Sequence, residues 1–105
     1  MKLVYSDRYL VDIGAHVFPT AKYRLVRDAV LSSGLVAPTD IVEPAAASWE
    51  MLALVHEAEY LEKTRSGGFR SSELAQLELP WSAEAAEGFR TMTGGTVLAA
   101  RLAVD

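Results

Sequence analysis

Apolar and polar positions fall into a few recognisable runs. Lys2-Leu-Val-Tyr5 is short, apolar and built from β-formers, with polar Ser6-Asp7-Arg8 behind it. That pattern predicts a buried strand. Asp40-Ile-Val-Glu43, stopped by Pro44, is the other strand candidate. A strand cannot satisfy its backbone hydrogen bonds alone, so the two need sheet partners. The remainder has helical spacing. Thr20 is placed to cap a helix reaching about Ser33, with Leu25, Val26, Ala29 and Val30 on one face and Gly34 to end it. Ser48 opens a second stretch, Trp49 to Val55, almost wholly apolar and therefore expected to be buried. Glu57 to Arg65 reads as an exposed helix, with Glu59 and Lys63 at the favourable i,i+4 spacing and Ser66-Gly67-Gly68 to stop it. A short helix from Ser72 to about Leu77 and a turn over Glu78-Leu-Pro-Trp81 lead to the last helix. Ser82 caps it, and Phe89, Met92, Thr96, Ala99 and Ala103 share one side.

That last helix carries the most information. Gly94 and Gly95 sit inside it, each costing roughly 1 kcal/mol relative to Ala. A helix tolerates such a pair best where another backbone approaches closely, and little in this sequence looks able to supply one. The apolar face is still running at Asp105, without a C-cap. The expectation is that residues 1–105 form an incomplete amino-terminal part of a single α/β domain, mostly helical, whose sheet lies elsewhere.

Composition narrows the class. The chain has 105 residues, half of them hydrophobic and 23% charged, which is globular composition with room for one domain at most. Its net charge of −4 argues against non-specific binding to nucleic acid or anionic membranes. The charge is uneven: Lys2, Arg8, Lys22, Arg24 and Arg27 precede Leu35, and the rest is acidic. The absence of cysteine excludes disulfides and thiol nucleophiles. The N-terminus lacks the apolar core of a signal peptide, and apolar stretches such as Met51 to Val55 fall far short of a bilayer span. A soluble, cytoplasmic protein is expected.

Candidate chemistry is sparse. His16 and His56 stand forty residues apart, without the close-spaced pair usual in a zinc site. His16 lies in a long mixed loop between Arg8 and Pro19, where a substrate contact and a structural role are both open. His56, between two helices, suits a cap or a backbone hydrogen bond. Glu57, Glu59 and Glu62 read as solvated surface, no serine sits in a Gly-x-Ser-x-Gly elbow, and Gly94-Gly95 lacks phosphate-loop spacing. Judged on chemistry alone, no residue set here can run a reaction.

Four segments in order nevertheless resemble one family: Val4-Tyr-Ser-Asp-Arg-Tyr9, His16-Val-Phe-Pro-Thr-Ala-Lys-Tyr23, Leu54-Val-His-Glu-Ala-Glu-Tyr-Leu61 and Thr93-Gly-Gly-Thr96. Together they are similar to the amino-terminal third of the histone deacetylase superfamily, nearest its class IV and bacterial branch. The resemblance implies an arginase-deacetylase fold, a parallel sheet flanked by helices, in an enzyme that uses zinc to hydrolyse an acyl-lysine-like amide. It also implies that the general-base His pair and the zinc ligands lie beyond these residues, so this chain should hold no zinc and show no activity by itself. By the same resemblance His16, Phe18 and Pro19 border the substrate tunnel, and Lys22 falls near a basic residue of an inner channel. Relatives more often have Pro after the loop His, where this chain has Val17. The competing reading is a small, non-enzymatic helical interaction module. Self-association that covers an exposed face is a further possibility.

Overall fold

The computed structural model describes residues 1–14 and 19–104. Strand β1 (Leu3–Val4) and strand β2 (Ile41–Val42) pair in parallel, Leu3 opposite Ile41 and Val4 opposite Val42. The Tyr5 amide extends the ladder to the Val42 carbonyl at 3.1 Å. Parallel neighbours need a crossover, and helix α1 (Lys22–Ser33) provides it. Both strands fall where the apolar runs predict them, each shorter than its run.

Four more helices follow: α2 (Trp49–Leu52), α3 (Ala58–Ser66), α4 (Ser71–Leu77) and α5 (Ala83–Val104). Their ends follow the sequence signals. Gly34 and Gly67 adopt the left-handed conformation that closes α1 and α3. The Ser48 hydroxyl accepts from the Met51 amide at 3.0 Å and the Ser82 hydroxyl from the Ala85 amide at 2.9 Å. Glu59 and Lys63 pair at 3.3 Å.

Three expectations are overturned. Thr20 does not cap α1, whose N-cap is Ala21 with no side-chain bond. Its hydroxyl is drawn into a buried contact with Val11 instead. The apolar run after Ser48 is not buried: α2 ends at Leu52, and Leu54 and Val55 are 82% and 80% exposed. Trp49, Met51 and Leu52 are half-buried, with the Arg65 and Arg90 guanidinium carbons 4.6 and 4.3 Å from the Trp49 ring centroid, but nothing covers Leu54 and Val55.

The third correction concerns the glycine pair, because close backbone does reach it. The segment before α2 crosses α5 so tightly that a Cβ on Gly94 would collide with the Ala45 carbonyl oxygen and stand 3.0 Å from the Ala47 nitrogen. The Ala47 amide donates to the Arg90 carbonyl at 2.9 Å, and the Arg90 guanidinium returns two bonds to the Ala47 carbonyl at 3.0 and 2.9 Å. Further along, a Cβ on Gly95 would strike the Tyr9 hydroxyl, and one on Gly88 would strike Val11 and approach the Arg8 carbonyl to 2.9 Å. Val11, Ile13 and Ala85 form the core beside α5, with Leu79, Phe89 and Met92 packed on it.

Candidate functional site

The carboxyl ends of parallel strands are where open α/β sheets place their sites. Here β1 runs into Tyr5 and Ser6 and then a 3₁₀ turn (Asp7–Tyr9), while β2 runs into Glu43. Ser6 ties the two ends together. Its buried hydroxyl donates to a Glu43 carboxylate oxygen at 2.9 Å and accepts from the Arg8 amide at 3.1 Å, which caps the turn. Tyr5 donates to Asp7 at 3.1 Å, and the Arg27 guanidinium lies 4.7 Å from its ring centroid. Burial, and then the Asp7 carboxylate, hold the Tyr5 phenol above its ordinary pKa.

The turn feeds the loop that the sequence marks as a candidate, and the loop is closed at its base by Thr20. The Thr20 hydroxyl, 3% exposed as a residue, donates to the Val11 carbonyl at 2.9 Å and accepts from the Val11 amide at 3.1 Å. One side chain thus satisfies both backbone groups of a buried residue, as a neighbouring strand would. Val11 in turn rests on Gly88 of α5. Within the loop, the Asp12 carboxylate accepts from the Gly14 amide at 2.9 Å.

Behind the turn, Tyr9 stands edge-on between Tyr5 and Tyr23, at centroid distances of 5.7 and 5.5 Å. Burial and the neighbouring Tyr23 raise the Tyr9 pKa. Tyr9 and Tyr23, with Val4 and with Met92, Gly95, Thr96 and Ala99 of α5, line an open pocket of about 290 Å³. Its walls are apolar and aromatic with a few hydroxyls, so it suits a small, largely apolar group.

Of the sequence-chosen residues, His16 and Phe18 lie outside the described residues. Pro19 is exposed at the loop base, next to Thr20. Lys22 opens α1 with its ammonium 5.3 Å from the Tyr23 ring centroid, so it adjoins the cavity without lining it. His56 is elsewhere, 5.3 Å from the Tyr60 ring in a separate groove. No local sequence signal marks Ser6, Tyr9, Thr20 or Glu43 as a site residue. Tyr9 and Tyr23 do lie inside the resembling motifs, but local spacing cannot show that α5 brings them to one cavity. Among the described residues no three His, Cys, Asp or Glu side chains converge as a metal would need. No described helix is long and apolar enough to cross a membrane.

Comparison with known proteins gives two similarities that run along nearly all of this chain. Over 98% of its length the chain is 33% identical to an uncharacterized protein of Picosynechococcus sp., covering 35% of that protein. Over its whole length it is 30% identical to Histone deacetylase 2 of Arabidopsis thaliana, covering 30% of it. The chain therefore spans about a third of the length of the curated relatives it matches. No family model and no solved structure matches it. A distant likeness to one histone deacetylase is thus present along the entire chain.

Proposed function

We propose that these residues are the amino-terminal part of an arginase-deacetylase-type domain, and that the longer protein hydrolyses acyl-lysine-like amides with zinc. The observation that carries the reading is the 30% identity to the Arabidopsis deacetylase over the entire chain. Two features of the fold favour it. The strands are parallel with a helical crossover, and the chain leaving the carboxyl end of β1 runs through the Asp7–Tyr9 turn into residues 10–14, which precede His16, Phe18 and Pro19 in sequence. Lys22, which the resemblance sets near an inner channel, adjoins the pocket lined by Tyr9 and Tyr23, and this proximity supports the reading.

The described residues do not fit a zinc ion, so no hydrolytic step is assigned to them. Their part is to wall the substrate site: Thr20 and Ser6 fix the two ends of the turn and loop, and the tyrosines bound the cavity. Two measurements test the reading. The 105-residue chain should not hydrolyse an acetyl-lysine peptide; turnover abolished by a chelator would overturn the division of labour. The coding sequence downstream of Asp105 should continue in frame into a glycine-rich segment with a His-His pair, and a stop codon there would overturn the reading as a whole.

The exposed apolar residues of α1 and of the stretch after α2 favour a second reading, a helical interaction module. The same stop codon would support it.

A further inference from the structure

We draw no further inference here: the strongest candidate, the apolar groove between α3, α4 and α5 with Tyr60, Phe69 and Phe89 among its walls, carries none, because nothing in the structure shows what covers it.

Discussion

Helix α5 is met in two different ways along its length. On one side it is approached closely at three glycines: by the Ala45 carbonyl at Gly94, by the Val11 side chain and the Arg8 carbonyl at Gly88, and by the Tyr9 hydroxyl at Gly95. On the other side α3, α4 and the turn after them reach it through side chains, and a groove of about 310 Å³ stays open between them. Even there the tight contact uses a glycine, since the Trp81 ring lies on Gly67 and its indole nitrogen donates to the Thr64 carbonyl at 2.8 Å. Where Cβ atoms are absent, layers close until polar backbone groups meet and must be paired. Where they are present, layers stand apart and leave room for something else. The first side fixes the segments that cross it, and the second leaves an apolar groove open.

The contrast is broken most strongly at Thr20. Thr20→Val keeps the volume but strands the amide and carbonyl of buried Val11, at about 1–3 kcal/mol for each buried group left unpaired. A loss of about 3 kcal/mol is expected by urea titration, with Thr20→Ser recovering most of it. An equal loss in both variants would show that the methyl group, not the hydroxyl, holds the loop base.

Gly94→Ala comes next. Alanine should favour the helix by about 1 kcal/mol, but its Cβ would collide with the Ala45 carbonyl, which is backbone and cannot rotate away. Overpacking costs about 1–3 kcal/mol or more, so a net destabilisation of about 1–2 kcal/mol is expected. A stabilised variant would mean that the crossing segment can lift off α5 at little cost. Arg90→Lys should cost a little less, about 1 kcal/mol. Lysine cannot supply the two bonds to the Ala47 carbonyl together with the contact to Glu87 and the placement over Trp49, whose ring centroid is 4.3 Å from the guanidinium carbon.

These sites also mark what was legible in the sequence. Capping serines, terminal glycines, the Glu59–Lys63 pair and both strands were readable because each signal acts within a few residues. Thr20 was misread because a threonine before a helical run fits a cap equally well, and only the fold brings Val11 to it. Gly94 advertised a close approach, but its partner Ala45 is far away in sequence and featureless as a residue. The run from Met51 to Val55 was misjudged because hydrophobicity measures the gain from burial, not whether a neighbour is present to provide it. As for the site, the loop and Lys22 were reached through resemblance, while the cavity behind Tyr9 and Tyr23 depends on α5 and could not be seen locally.

The smallest effect belongs to the open side, where α3 and α4 are joined by charge. Lys63 bridges Glu59 and Glu73, meeting the latter at 2.5 Å, and Glu73 also accepts from the Arg70 amide at 2.8 Å. The Lys63 hydrogen bond, followed by that from the Arg70 amide, lowers the Glu73 carboxyl from 4.5 to about 2. A depressed carboxyl stabilises the fold fully above its unfolded pKa, and that contribution fades as pH falls from about 4.5 towards 2. Lys63 is shifted upward by the same pair, so its share persists below 10.5 and is lost only in strong base. Both shifts describe one interaction and count once. Native stability measured against Glu73→Gln should therefore show a constant advantage from about pH 6 to 8 and a shrinking one below about pH 4.5. No advantage at any pH would assign the α3–α4 contact to apolar packing around Phe69 and Leu74 instead of to charge. The side of α5 with the open groove would then be held together by the same force as the closed one.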